Sequence, residues 1–406
     1  VARAKHLFLI VRRQKLICTG TRYRAKEFTL SLKGVDLKGS LRSSIERSYH
    51  GNYKYTLLTI AMIVTPVIAY NAADAASTYM TAWSSGKLIS DPMNLPPPPS
   101  SIEDIYATHK CMISSAATTY KGFGGGIGGY KIGAVGLVDD IPCLYAPLFQ
   151  NFIYNYYDND DNNNISSSSS STPISPSISE LNCFLLEAEI GFIIGQDLPP
   201  KKKKDKAGSH TSFVEPYSED EVMSAVESVA CCVELVGSRA VGDAFQNMPV
   251  MSKLADCVMA GGVLVGKPLL SAAATTRIDT DDNDNTGSKK LTTTTTTTTF
   301  TSDSLRSIQT SFIVDGIKQG EGGCAKLCPQ GGPVESVTWL VNALVQNKNN
   351  NDDNNSVFYL KKGQLVMSGM TSKLSGDKFT VDSDIEVIFD GLDGLAGTSV
   401  KFSFKE

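Results

Sequence analysis

Three glutamates inside apolar segments are the residues of this sequence best suited to chemistry. Glu187 and Glu189 lie two residues apart in FLLEAEIGFIIGQDLP (184–199), and Glu234 lies in the middle of CCVELVGSR (231–239). A buried carboxylate without a partner costs several kcal/mol, and neighbouring carboxylates repel each other. A divalent cation would offset both costs. An all-oxygen ligand set with excess negative charge suits Mg²⁺ or Mn²⁺ better than zinc.

Both segments have the length and the β-branched content of buried strands. Side chains at positions i and i+2 of a strand share a face, so Glu187 and Glu189 are expected side by side, with Glu234 converging from a second strand. The pattern also fits another interpretation. Paired acids are common on half-exposed sheets, where they would line the solvated face of an edge strand and leave Glu234 paired to Arg239 or to no residue.

These segments resemble a known protein family. LEAEIGFIIGQDLP followed by VELVGSR is similar to the core signature of the 2-oxopent-4-enoate hydratase family, within the fumarylacetoacetate hydrolase superfamily. The similarity is collinear over residues 70–406, apart from inserts. The further matching segments are Ala72–Ala107, YKIG (130–133), APLF (146–149), LADCVMAGGVLVG (254–266), GPVESVTWLVNAL (332–344) and KGQLVMSGMT (362–371).

The resemblance implies an α+β fold with a fumarylacetoacetase C-terminal-like mixed β-sheet roll. A helical part is expected over residues 70–120 and the catalytic roll over residues 121–406. Four low-complexity segments lack the apolar content to pack, and we expect them to be disordered loop inserts. They are residues 155–179, 201–212, 279–304 and 347–356. The first four residues of the second insert, Lys201–Lys204, are expected to form a solvated turn.

Site residues follow from the same resemblance. The three glutamates would hold Mg²⁺ or Mn²⁺. Lys131 would orient the substrate or shuttle a proton, with a lowered pKa if the pocket is dry. Asp256 matches the acid of the family's Ala-Asp-Asn segment and is the second candidate for proton handling; the other interpretation is a structural cap or turn acid. The residues implied for substrate binding are Leu148, Phe149, Arg239 and Thr371.

The implied activity is a lyase reaction. A divalent-metal-dependent hydratase of this family would add water to 2-hydroxypenta-2,4-dienoate (2-oxopent-4-enoate) and give 4-hydroxy-2-oxopentanoate, as in the catabolism of aromatic compounds. Two positions depart from the family pattern and leave the exact substrate open, because Cys257 and Met259 replace an Asn and a small polar residue. Gly237 replaces an Asp that many members have, although Gly also occurs there in the hydratase branch.

Other activities remain open at this point. Decarboxylases of the superfamily that act on 2-oxo-3-hexenedioate share nearly the same signature and are the main alternative. The hydrolase branch activates water with a His–Glu pair, and none of the four histidines here lies in such a motif. An inactive paralogue that acts as a binding protein is the non-enzymatic alternative. The retained acids argue against it, because unused buried carboxylates destabilise a fold.

Composition constrains the class of protein and its partners. The 406 residues carry a formal net charge of −4 and 41% hydrophobic residues, which allows one large domain or two small ones. That charge gives no reason to expect nucleic acid or an acidic membrane as a partner. The expected partner is a small-molecule 2-oxo acid, and the resemblance implies a homo-oligomer.

The N-terminal region differs in charge from the rest. Residues 1–65 are rich in Lys and Arg and poor in acids, which is typical of an organelle presequence that is disordered or cleaved. The apolar run Leu57–Ala69 is too short to span a bilayer. The sequence therefore leaves localisation open between the cytoplasm and an organelle such as a mitochondrion or plastid.

Local signals predict the elements of the last third. Asp315-Gly316 after Phe312–Val314 predicts a hairpin, and Pro333 predicts the start of a helix. The apolar face of that helix is expected to contain Val337, Leu340, Val341 and Leu344. Short strands are expected at Leu365–Ser368, Lys378–Val381, Asp384–Phe389 and Ser399–Phe404.

Overall fold

The computed structural model divides the chain into two compact units, Val1–Val67 and Ile68–Glu406. In the first unit, strands β1 (Phe8–Leu9) and β2 (Leu30–Ser31) pair antiparallel. The rest of the expected presequence lies outside the described residues. Those are residues 8–9, 30–31, 70–120, 126–133, 143–155, 176–204, 210–270, 300–324, 331–346, 358–391 and 398–405.

A curled mixed sheet of eight strands forms the centre of the second unit. Seven of its strands lie in the spatial order β4 (Leu144–Phe149), β3 (Ile127–Gly133), β14 (Leu365–Ser375), β6 (Cys183–Ile194), β9 (Val226–Gly237), β10 (Ala260–Val265) and β5 (Ile153–Asn155). The eighth strand, β11 (Leu269–Leu270), pairs with β9 off this path. Two of the pairs are parallel, β3 with β14 and β5 with β10, and the others are antiparallel.

Strands β6 and β9 are central and buried on both faces, which explains why their sequences are nearly continuous apolar runs. Alternate residues such as Leu186 and Val233 pack into one core with helix α8 (Pro333–Gln346). Residues on the opposite face, such as Cys232, belong to a second core. That core includes side chains from helices α1 (Ala72–Ser85), α2 (Ile102–Thr118) and α6 (Val250–Ala255).

The predicted hairpin and C-terminal helix are confirmed. Asp315 and Gly316 have φ angles of 51° and 78°, as a tight hairpin turn requires. Pro333 begins α8, whose expected apolar face is buried. The hairpin belongs to a four-stranded antiparallel sheet in the order β13 (Ile317–Gly323), β12 (Gln309–Val314), β15 (Ile385–Asp390) and β16 (Thr398–Phe402).

The predicted loop over residues 201–212 is wrong at both ends. Strands β7 (Lys201–Lys204) and β8 (His210–Glu215) form an antiparallel pair, in which Lys201 lies opposite Glu215. Opposite charges across two strands stabilise such a ladder despite its polar composition. The Lys201 side chain also pairs with Glu221, at 2.8 Å between Nζ and Oε1, in helix α4 (Glu219–Ser224).

Three further predictions are corrected at their boundaries. Helices α3 (Ile178–Leu181) and α7 (Ser302–Arg306) begin inside segments that were expected to be loops. The side chain of Thr301 accepts the backbone N–H of Ser304, so a cap starts α7 where composition alone indicates a loop. Lys378–Val381 is not a strand: β14 continues to Ser375, and Lys378 ends the short 3₁₀ turn Gly376–Lys378 that follows it. The insert at 347–356 lies outside the described residues.

Helix α5 (Gly242–Gln246) follows β9. Within the part of the chain that the structure describes, no helix combines the length and apolar character needed to cross a membrane.

Candidate metal centre

The three predicted glutamates meet on one face of the β6–β9 pair. Glu187 lies directly opposite Glu234 in the antiparallel register, and Glu189 follows two residues later on the same face. One carboxylate oxygen from each residue lies within 4.8 Å of the others. The predicted convergence is therefore confirmed. The edge-strand interpretation is wrong, because β6 lies between β14 and β9.

Burial makes this cluster costly without a cation. Glu189 and Glu234 are completely buried, whereas Glu187 is partly exposed and marks the open side of the cluster. Oε1 of Glu189 and Oε2 of Glu234 have no hydrogen-bond partner among the described residues. Buried carboxylate oxygens are normally satisfied. Two unpartnered oxygens in an all-oxygen donor set therefore fit a hard divalent cation.

Mutual repulsion and burial shift the ionisation of the cluster. Burial and then the charge of Glu234 raise the pKa of Glu187 to about 7. The same two causes raise the pKa of Glu189 well above its usual value. Burial and like charges therefore make the ionised form of both carboxyls costly when no cation is bound.

Lys131 is part of the same cluster. It projects from β3, is 3% exposed, and donates hydrogen bonds from Nζ to Oε1 of Glu234 and, at 3.3 Å, to the carbonyl oxygen of Val258. The expectation of a lowered pKa is wrong for the metal-free chain. Burial alone would lower the pKa of Lys131, but the negative charges of Glu234, Glu187 and Glu189 outweigh burial and raise it.

Gly369 contributes to the centre and was not predicted from the sequence. The register of β14 against β6 shifts on both sides of Met370, and Gly369 has a φ of 112°. This irregularity directs the Gly369 N–H to Oε2 of Glu189 at 2.9 Å. A glycine inside a strand pattern, as in SGMT, is the sequence signal for a bulge of this kind.

The structure pairs Asp256 and Arg239 with each other. Oδ2 of Asp256 accepts from the Arg239 backbone N–H at 3.0 Å and from Oγ of Ser238 at 3.1 Å, and Oδ1 accepts from Nε of Arg239. The guanidinium also stacks over Trp83, 4.3 Å from the ring centroid. These contacts support the structural alternative for Asp256 and occupy the Arg239 side chain that was expected to bind substrate.

The other residues expected to bind substrate are also buried. The Thr371 hydroxyl donates to the carbonyl of Ala188 at 2.7 Å and lies 2.9 Å from the hydroxyl of Thr310. Leu148 and Phe149 lie in β4, in the same core as Cys232. A role for these three residues in substrate binding stays a prediction.

Comparisons with known proteins support the fold. No family model and no curated protein matches the sequence. Among solved structures, 4-oxalocrotonate decarboxylase from Pseudomonas putida G7 is similar in two complexes, with calcium and acetate and with magnesium and adipate. In each case the TM-score is 0.52, the identity is 16%, and the match covers 82% of this chain. It covers 96% and 97% of the respective decarboxylase chains.

A weaker match is yeast ynq8, described as a fumarylacetoacetate hydrolase family protein. Its TM-score is 0.39 and its identity 10%, over 68% of this chain and 92% of that chain, which is too low to carry an argument. The likeness to the decarboxylase shows the fold alone. It confirms the expected α+β architecture with a curled mixed sheet.

Proposed function

We propose that this chain is a divalent-metal-dependent enzyme that acts on 2-oxo acids. The observation that carries the proposal is the convergence of Glu187, Glu189 and Glu234, with two buried carboxylate oxygens that have no partner among the described residues. The decarboxylase with the same fold was solved in a complex with calcium and acetate and in a complex with magnesium and adipate, which supports a site for a metal and an acid.

Each residue of the cluster has a distinct part in this proposal. A Mg²⁺ or Mn²⁺ ion held by the three glutamates would polarise the keto oxygen of a 2-oxo acid and offset the negative charge that develops there. Lys131 holds a proton at Nζ beside Glu234 and adds a positive charge to the site. The partial exposure of Glu187 leaves one side of the cluster accessible to a substrate.

Two reactions fit this site. Water addition to 2-hydroxypenta-2,4-dienoate is the reaction that the sequence resemblance implies. Decarboxylation of 2-oxo-3-hexenedioate requires the same stabilisation of negative charge on the keto oxygen, and a decarboxylase shares the fold. We propose the hydratase as the first candidate and the decarboxylase as the second.

The test is to offer both substrates to the full chain with and without Mg²⁺. Loss of the diene absorbance with formation of 4-hydroxy-2-oxopentanoate identifies a hydratase, and released CO₂ identifies a decarboxylase. We expect Glu187→Ala to abolish the metal-dependent reaction. Glu386→Ala is the matched control, because Glu386 is a strand glutamate that pairs with Lys401 in β16. A chain that binds no divalent cation would overturn the proposal.

A further inference from the structure

A turn of three consecutive residues in a costly backbone conformation borders the metal centre. Cys257, Val258 and Met259 have φ angles of 50°, 53° and 61°. Side chains other than glycine rarely adopt positive φ, and a β-branched residue such as Val258 is a genuine outlier there. Such a backbone persists only where the surrounding structure fixes it.

Arg239 holds the turn at both ends. Its terminal nitrogens donate to the carbonyl oxygen of Asp256, just before the turn, and to that of Ala260, just after it. Its Nε binds the Asp256 carboxylate, and its guanidinium packs on Trp83 of α1. Arg239 is 2% exposed and Asp256 is fully buried. The buried, planar guanidinium therefore bridges the two ends of the turn.

The turn contacts the metal centre through the carbonyl oxygen of Val258. That oxygen accepts from Nζ of Lys131 at 3.3 Å, and the same nitrogen donates to Glu234. An ammonium has three donors and no fixed plane, so its position depends on where its acceptors lie. A shift of the Val258 carbonyl would therefore move Lys131 relative to the carboxylates.

We propose that the Arg239–Asp256 pair acts as a positioning device that fixes the Cys257–Met259 turn and, through the Val258 carbonyl, the Lys131 ammonium. Asp256 and Arg239 are positioning residues on this account, since both act on the centre through Lys131. The consequence for catalysis rests on the proposed function, whereas the structural linkage can be tested without turnover.

The experiment observes the Lys131 ammonium directly in the full-length chain. A chain with ¹⁵N-labelled lysine is examined by a proton–nitrogen correlation spectrum tuned to side-chain NH₃⁺ groups, with Mg²⁺ present. We expect a slowly exchanging Lys131 signal, assigned by its loss in Lys131→Arg. Asp256→Asn removes an acceptor of the Arg239 clamp, and we expect this signal to shift or disappear. Ser238→Ala removes one donor to Asp256 but keeps the Arg239–Asp256 ion pair, so we expect this variant to shift the Lys131 signal less.

The matched control breaks another Arg–carboxylate pair, that between Arg306 and Glu335. Glu335→Gln should leave the Lys131 signal unchanged.

If either substrate is turned over, kcat of Asp256→Asn should fall by up to about 100-fold, because a displaced catalytic group loses its productive geometry. The proposal is overturned if the wild-type chain gives no Lys131 signal. It is also overturned if the signal is unchanged in Asp256→Asn or, where Asp256→Asn does not fold, in Ser238→Ala. Failure of turnover alone would overturn the proposed function and leave this linkage standing.

Discussion

At the scale of single residues, the chemistry depends on where negative charge is left uncompensated. Lys131 offsets one charge of the cluster, and Gly369 donates one hydrogen bond to Glu189. The remaining carboxylate oxygens are buried in a region where charge is expensive. The metal-free chain is thus destabilised at this point, and a cation would relieve it.

Glu189→Gln should separate the destabilisation of the metal-free chain from its stabilisation by Mg²⁺. The neutral amide keeps an oxygen for the Gly369 N–H and removes repulsion with Glu234. We expect the metal-free variant to be more stable than the metal-free wild type by about 1–4 kcal/mol. We also expect the variant to lose the stabilisation by Mg²⁺ that the wild type shows. Thermal unfolding with and without Mg²⁺ measures both effects. An unaltered response to Mg²⁺ would contradict the assignment of Glu189 as a ligand.

At the scale of elements, a short contact between α2 and α6 links stability to pH. His109 of α2 is 2% exposed, and its Nε2 lies 3.1 Å from the carbonyl oxygen of Leu254 in α6. Burial lowers the pKa of His109 from 6.5 to about 4. The unfolded chain therefore binds a proton at His109 more readily than the folded chain does.

The sign of this dependence follows from linkage. The contribution of neutral His109 to the free energy of unfolding is roughly 3 kcal/mol. It is fully present above pH 6.5 and is lost as the pH falls toward 4. In His109→Gln we expect a smaller loss of unfolding free energy between pH 6.5 and 4, measured by urea unfolding at several pH values. An identical pH dependence in wild type and variant would contradict a neutral buried His109.

The β14 irregularity is a second element-scale feature. Gly369 and Gly363 both have positive φ angles, of 112° and 84°, but only Gly369 donates to the metal centre. Alanine at either site should cost about 1–3 kcal/mol of stability through backbone strain. Only Gly369→Ala should also weaken Mn²⁺ binding, as measured by calorimetric titration. Equal Mn²⁺ affinity in the two variants would show that the bulge does not support the centre.

At the scale of the whole molecule, all residues of the centre lie in the second unit, Ile68–Glu406. We expect a chain that comprises residues 68–406 to unfold cooperatively and to gain the same thermal stability from Mg²⁺ as the full chain. The measurement is a comparison of melting temperatures with and without Mg²⁺. Loss of the Mg²⁺ response in the shorter chain would mean that the first unit contributes to the centre.

The sequence predicted the glutamate triad because acids in apolar strands are rare and strand periodicity places them on one face. Lys131 was predicted from the family resemblance. The pairing of Arg239 with Asp256 could not be predicted, since Asp256 is 17 residues away and the turn between Asp256 and Ala260 follows no local pattern. The β7–β8 pair was missed because β7 is a run of four lysines, whose composition predicts a solvated turn and not a strand.

We propose that Glu187, Glu189 and Glu234 hold a divalent cation, and calorimetric titration of the metal-free full chain with Mn²⁺ measures this binding. We expect one ion bound per chain, with binding abolished in Glu234→Gln and retained in Glu386→Gln. We also expect Mg²⁺ to compete with Mn²⁺ for the site, because both are hard cations that accept an all-oxygen ligand set. No binding by the wild-type chain, or unchanged binding by Glu234→Gln, would show that the three glutamates do not hold a cation.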